Sequence, residues 1–192
     1  MASALEQLPA VFSRAQANAA GVSKRQLYDW RDTGAVEPLG RGLFLRAGTP
    51  GDPDLIEIAA RAPRATLCLR SALARHGLTD EIPEAIHLAI ERTQRPPKSA
   101  APVTWHRFDS ATFDIGREEI EVTDGYRIGL YSPARTIIDT FRLRHIEGQD
   151  TANKALQRWL RRPRTRPAEL LRLAREFPKA EPAIRAALET LL

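Results

Sequence analysis

The sequence predicts an α+β protein, helical at both ends, and three observations carry that prediction. Near the N-terminus, Ser13-Arg-Ala-Gln16 and Ser23-Lys-Arg-Gln26 both fit a helix-capping box, and a glycine turn lies between them. In the middle, short apolar or alternating runs are punctuated by turn formers, as in half-buried strands. Beyond residue 150, apolar side chains recur at helical spacing.

The first capping box starts a short helix that ends near Ala19-Ala-Gly-Val22, and the second starts another, Lys24–Thr33. Small Ala15 and Ala19 are expected to let the two helices approach, with Val22 plugging the corner. Leu27 and Trp30, three apart, point inward, which leaves Lys24, Arg25, Tyr28 and Arg31 on the outer side. Gly34 stops the helix, and Ala35–Leu39 and Leu43–Arg46 then alternate as two strands around Gly40-Arg41-Gly42. The order helix, helix, helix, β-hairpin is that of a winged helix, whose second helix of the helix-turn-helix reads the major groove while the wing lies along the backbone or minor groove. Candidate DNA contacts are therefore Ser23, Lys24, Arg25, Gln26, Tyr28 and Arg31, with Arg41 and Arg46 in the wing. The plainer reading of the cationic row is a solvated helix face, and Asp29 and Asp32 narrow any contact with phosphate.

Gly48-Thr-Pro-Gly-Asp-Pro53 separates an N-terminal domain, residues 1–48, from a larger one, residues 53–192. Within the latter, Ala65–Leu69 reads as a buried strand and Ser71–His76 as a short helix stopped by Gly77. Gln94–Pro102 reads as a loop inside that domain. Ala85–Ile90 and Val103–Phe108 read as further strands, and Glu119–Val122 and Tyr126–Leu130 as a hairpin turning at Asp124-Gly125. Ser132-Pro133 opens a helix with a serine cap and a first-turn proline. Three more helices are expected. One carries Ala152, Ala155, Leu156, Trp159 and Leu160 on a single face, one spans 167–177, and the last is lined by Ile184, Ala187, Leu188 and Leu191.

Composition sets the bounds. Of 192 residues, 43% are hydrophobic and 28% charged, enough to bury a core and too apolar for global disorder. No apolar run reaches the roughly 20 residues a bilayer span needs, and the first residues lack a basic segment followed by an apolar one, so a cytoplasmic, non-membrane protein is expected. One cysteine, Cys68, excludes an internal disulfide and a cysteine-built zinc site. Net charge is +5, and it is uneven: residues 51–140 hold eleven basic and fourteen acidic side chains, residues 141–192 twelve basic and six acidic. An anionic partner follows, with nucleic acid the usual one.

The stretch Phe12-Ser-Arg-Ala-Gln-Ala-Asn-Ala-Ala-Gly-Val-Ser-Lys-Arg-Gln-Leu-Tyr-Asp-Trp30, with Gly34-Ala-Val and Gly40-Arg-Gly-Leu-Phe-Leu-Arg46, resembles the N-terminal domain of the AbiEi-family antitoxins of bacterial toxin–antitoxin operons. Cys68-Leu-Arg-Ser-Ala-Leu-Ala-Arg-His-Gly-Leu78, Ile86-His-Leu-Ala89 and Tyr131-Ser-Pro-Ala-Arg-Thr-Ile-Ile-Asp139 resemble the rest of that family. The resemblance implies a repressor that binds operator inverted repeats in double-stranded DNA, as a monomer or a dimer. It also implies a C-terminal domain that counteracts a nucleotidyltransferase-like toxin. Arg135 and Asp139, the best-marked pair in that domain, read first as an intrahelical i,i+4 ion pair.

The run Arg158, Arg161, Arg162, Arg164 and Arg166 lies outside the family motifs; it is either a solvated helix end or a secondary anion-binding surface. No enzyme signature or cofactor site emerges, and no metal site is expected. Asp109, Asp114, Glu119 and Glu121 lie near strands, but Lys98, the lysine a metal-dependent nuclease would place beside them, sits in a loop. His76, His87, His106 and His145 show no metal-ligand spacing. The readings left open beside the antitoxin are a stand-alone winged-helix regulator, a protein-interaction module and, least favoured, that nuclease.

Overall fold

The computed structural model describes residues 4–191 and has the α+β class expected, dividing into two compact units. The first comprises the chain up to Pro63 with residues 97–101 and 121–128; the second comprises residues 64–96, 102–120 and 129–192.

In the first unit, β1 (Val11–Ser13), α1 (Arg14–Ala19), α2 (Lys24–Asp32), β2 (Val36–Pro38), β3 (Leu43–Arg46) and α3 (Pro53–Arg61) follow in order. The expected order of helix, helix, helix and β-hairpin is not followed: the strand β1 precedes α1 and α2. Val11 and Phe12 are fully buried and pair antiparallel with Leu45 and Phe44, giving a three-stranded sheet in the order β1-β3-β2. A β-branched and an aromatic residue, packed on both sides, fit a sheet better than a three-residue helical turn. Ser13 caps α1 with a complete capping box: its hydroxyl accepts from the Gln16 backbone at 3.2 Å, and the Gln16 amide accepts from the Ser13 backbone at 2.7 Å.

Both α1 and α2 end in the same left-handed closure. Gly21 donates to the Asn18 carbonyl and Val22 to that of Ala17; Gly34 donates to Arg31 and Ala35 to Trp30. Each glycine has φ above +70°, a conformation that other residues adopt only with strain. The small residue at the helix junction is Ala17, fully buried, whereas Ala15 and Ala19 are exposed. Positions two residues either side of the buried one fall on the far side of a 100°-per-residue helix. Val22, Leu27, Phe12 and Val36 close one small core, with Trp30 half-buried at its edge.

Helix α3 begins with Asp52 capping the Asp54 backbone and Pro53 in its first turn. Its Ile56 joins Val11, Leu39 and Leu45 in a second small core, against which Val122 and Tyr126 pack. The Tyr126 hydroxyl donates to the Val11 carbonyl at 3.2 Å. Glu57, buried on α3, accepts from Ser99 Oγ at 2.8 Å, from the Ala100 backbone at 3.0 Å and from Arg61 Nε at 2.8 Å. One carboxylate thus fastens the 97–101 loop to the first unit.

The second unit carries β4 (Thr66–Leu67), α4 (Leu69–Arg75), β5 (Ile86–Glu91), β6 (Val103–Phe108), α5 (Ser110–Phe113) and α6 (Pro133–Arg142). It ends with α7 (Arg144–Glu147), α8 (Gln149–Leu160), α9 (Pro167–Ala174) and α10 (Glu181–Leu191). The hairpin β7 (Arg117–Thr123) and β8 (Tyr126–Tyr131) completes a five-stranded sheet in the order β6-β5-β4-β8-β7; its distal residues 121–128 belong to the first unit. The strand read at Ala65–Leu69 is only two residues long, because the chain turns into α4 at Leu69, a non-glycine residue at φ 44°. That helix starts two residues earlier than expected and closes at Gly77, as expected. Beyond the three helices expected after α6, the single turn α7 precedes them.

The helices from α6 onward enclose the largest core, built on Ile137, Ile138, Phe141, Leu156, Leu170, Ile184 and Leu188. At its margin, Arg135 and Asp139 form the expected i,i+4 ion pair, both fully buried and 2.9 Å apart. Arg142 donates to the other Asp139 oxygen from Nε at 3.1 Å and Nη2 at 2.9 Å. Arg135 Nη1 donates to the carbonyls of Thr112 and Ile115, and its guanidinium stacks between the rings of Tyr131 and Phe177.

Candidate nucleic-acid interface

Helix α2 is held by few contacts on one side and open on the other. Leu27 alone is buried, and Ser23, Lys24, Arg25, Gln26, Tyr28 and Arg31 are all exposed. Ser23 caps the helix by accepting from the Gln26 backbone at 3.2 Å. The reciprocal half of this second capping box does not form, and the Gln26 side-chain amide has no partner among the described residues. Tyr28 ties the row together: its ring centroid lies 5.6 Å from Lys24 Nζ and 4.7 Å from the Arg31 guanidinium. With 38% of its surface exposed, Tyr28 serves as a platform between two cations, each about one helical turn from it along α2.

Arg31 also donates to Asp32 Oδ1 at 2.7 Å, and both side chains are strongly exposed. Such a pair contributes about 1 kcal/mol or less in water, so a phosphate can take the guanidinium from it. Among the described residues Lys24 and Arg25 make no ion pair. The first turn of α2 has no acidic residue, so its free backbone N–H groups add to the positive field at that end.

Arg41 is exposed at the tip between β2 and β3, where Leu39 donates to the Leu43 carbonyl at 3.0 Å to close the turn. Its carbonyl accepts from Arg61 Nη2 at 3.0 Å, which fixes the wing to α3. Arg46, at the other end of β3, is half-buried and has no side-chain partner among the described residues. The structure therefore assembles the α2 row and the wing tip as exposed cations on one unit, with Arg46 less accessible than the rest.

The C-terminal arginines are differently employed. Arg158 forms a bidentate ion pair with Asp80, Arg162 donates to the His76 carbonyl, and Arg166 pairs with Glu169 at 3.0 Å. Arg161 and Arg164 are exposed and have no side-chain partner among the described residues.

Three of the four carboxylates weighed for a nuclease are also engaged, and the fourth, Glu121, is exposed. Asp109 caps α5, Asp114 receives Arg64 at 2.9 Å, and Glu119 receives Arg117 at 3.2 Å. Among the described residues no three potential metal ligands converge, and no helix is long and apolar enough to cross a membrane.

Cys68 is fully buried, and burial pushes its thiol well above the usual range. The feature that sequence spacing missed is a histidine pair. On neighbouring parallel strands, His87 Nδ1 and His106 Nε2 lie 3.1 Å apart with stacked rings. Burial, with the neighbouring His87 ring, pushes His106 down to about 4. Only the register of β5 on β6 brings the two together, and a single sequence does not encode that register visibly.

Comparison with known proteins agrees with this N-terminal picture. Residues 2–47 match a protein family described as "Transcriptional regulator, AbiEi antitoxin", a match that ends just beyond β3. No curated protein matches the chain.

Proposed function

We propose that this protein is the DNA-binding antitoxin of a bacterial toxin–antitoxin operon, reading operator DNA with α2 and contacting its backbone with the wing. The observation that carries the proposal is the exposed row Lys24, Arg25, Tyr28 and Arg31, lying within the segment that matches the AbiEi antitoxin regulators. In this reading Arg25, Gln26 and Tyr28 face base edges, while Lys24, Arg31 and Arg41 hold phosphates. Ser23 and the N-terminal amides of α2 position the helix on a phosphate, and Arg46 contributes at long range. Binding to inverted repeats places two such helices about one turn of duplex apart, either in a dimer or in two monomers meeting on the operator.

The second unit then opposes a nucleotidyltransferase-like toxin. The buried Arg135–Asp139 pair favours a structural role for that motif over toxin contact. The experiment is a gel shift with DNA upstream of the gene, comparing wild type with Arg25→Ala/Arg31→Ala. A loss of about 1–3 kcal/mol per base-reading contact supports the reading; unchanged binding removes α2 from it. Co-expression with the adjacent reading frame tests the antitoxin half. Rescue of growth supports it, and persistent toxicity in the presence of folded protein contradicts it.

A further inference from the structure

A groove of about 640 Å³ opens wholly within the second unit, lined by α4, the 79–85 loop and the turn from α7 into α8. Its charge is negative. Among the described residues Glu81, Glu84 and Glu147 line it, against one arginine, Arg70, and no lysine. Arg70 is already engaged, with Nε 2.9 Å from Glu147 and Nη1 3.7 Å from Glu81. His87 also lines the groove, and burial holds its ring below the usual histidine range, so it adds no positive charge at neutral pH.

Two of the carboxylates have capacity to spare. Glu147 is only 4% exposed, yet Oε2 accepts from Arg70 alone, and Oε1 accepts no hydrogen bond among the described residues. A carboxylate offers about four lone-pair sites, so a buried one with a single donor still favours a cationic partner. Glu84 is exposed and makes no ion pair among the described residues.

The rim is apolar. Three large hydrophobic side chains are exposed among the described residues, and one of them, Tyr28, belongs to α2. The other two, Ile82 at 91% and Ile146 at 64%, both line this groove. Surface hydrophobics scattered singly are ordinary, but two aliphatics brought to one acidic groove mark a contact surface. A small cation inside the groove would leave both in water, whereas a partner with a surface of its own covers them.

We infer that this groove docks a basic segment of a partner protein, the toxin that the second unit opposes, which packs an apolar side chain on Ile82 and Ile146 and sends an arginine or lysine to Glu84 and Glu147. The inference rests on the antitoxin reading and adds to it a direct contact and its place. Charge complementarity of this kind steers encounter and selects among partners. This chain's own basic segment with an exposed aromatic, α2, is assigned to duplex DNA, so a second copy is not the occupant.

The test uses the full chain and the purified product of the adjacent reading frame. Surface plasmon resonance reads the complex, and co-expression reads rescue of growth in parallel. Ile82→Ser/Ile146→Ser should weaken the complex roughly tenfold or more. Glu84→Lys should slow association roughly tenfold and flatten the fall of affinity with salt. Glu189→Lys, the same charge change at an exposed position on α10 outside the groove, should alter either property by no more than about twofold. All these side chains are exposed, so Tm and operator binding should stay at wild-type values.

The arms separate this inference from the reading beneath it. Rescue by the wild type without a complex, or a complex that tolerates Ile82→Ser/Ile146→Ser, overturns the groove and leaves the antitoxin reading standing. A complex without rescue, weakened by the groove variants, keeps the groove and removes the antitoxin role. Neither complex nor rescue overturns both. An effect of Glu189→Lys equal to that of Glu84→Lys would reduce the contact to net charge. Self-association abolished by Ile82→Ser/Ile146→Ser would give the face to a second copy, and either result overturns the inference.

Discussion

Replacing Asp139 by alanine should destabilise the second unit by about 3–5 kcal/mol, the range for removing one partner of a buried ion pair. The geometry explains why the cost lies there. Arg135 has no exposed surface, and Asp139 supplies its sole anionic contact among the described residues, at 2.9 Å. What remains after the substitution is two neutral carbonyls on Nη1 and two aromatic faces. Arg135 Nη2 already has no partner, so a full positive charge would sit in the interior with most of its compensation gone. Arg142 loses its anchor as well, but its partial exposure lets water replace it. Arg142→Ala should therefore cost less, about 1–2 kcal/mol. Arg135→Met/Asp139→Leu should recover part of the loss, because no charge is left buried. Urea unfolding followed by fluorescence of Trp159, which lies in the helical core of this unit, reads these differences. For a chain of 192 residues the Asp139→Ala loss corresponds to a fall in Tm of about 6–20 °C. An Asp139→Ala protein within 1 kcal/mol of wild type would refute the reasoning.

Three further outcomes follow from individual contacts. Glu57→Gln keeps the size of the side chain but removes the charge that Arg61, Ser99 and Ala100 share; it should cost about 1–3 kcal/mol and raise hydrogen exchange across residues 97–101. Ser23→Ala should cost about 1 kcal/mol by uncapping α2, measured as a lower urea midpoint. His106 titrates near 4 in the folded protein against about 6.5 unfolded. A base held lower in the fold contributes its full stability above pH 6.5, and that contribution is lost as pH falls toward 4. Wild type should thus lose more stability than His106→Gln between those values, and parallel curves would show that the ring is not the cause.

The sequence told most where chemistry is local. Capping serines, the glycines after α1 and α2, and Ser132-Pro133 each satisfy backbone groups within four residues, so these boundaries were readable. The i,i+4 spacing of Arg135 and Asp139 likewise announced their pairing. Legibility failed where partners are distant in the chain. Val11–Ser13 is a strand because Leu43–Leu45 lies beside it, and Ala17 rather than Ala15 or Ala19 is buried because of what α1 packs against. The grip of Glu57 on Ser99 and Ala100 joins residues more than forty positions apart. The same holds for the arginine run: composition marked Arg158 and Arg162 as free cations, but Asp80 and the His76 carbonyl, supplied from far upstream, occupy them. At the α2 interface the residue types and their common face were readable from spacing. The cation–aromatic contacts of Tyr28 and the missing reciprocal half of the second capping box required coordinates.

The claim on which the rest depends is that α2 presents its cations to the phosphates of duplex DNA. The most direct measurement is the slope of log affinity for the promoter duplex against log salt concentration, for wild type and for Lys24→Ala/Arg31→Ala. Each phosphate contact adds roughly 0.9 to that slope in B-form DNA, so the double variant should be shallower by about 1.8. Two parallel lines, displaced or not, would mean that these side chains neutralise no phosphate and that α2 does not face the duplex.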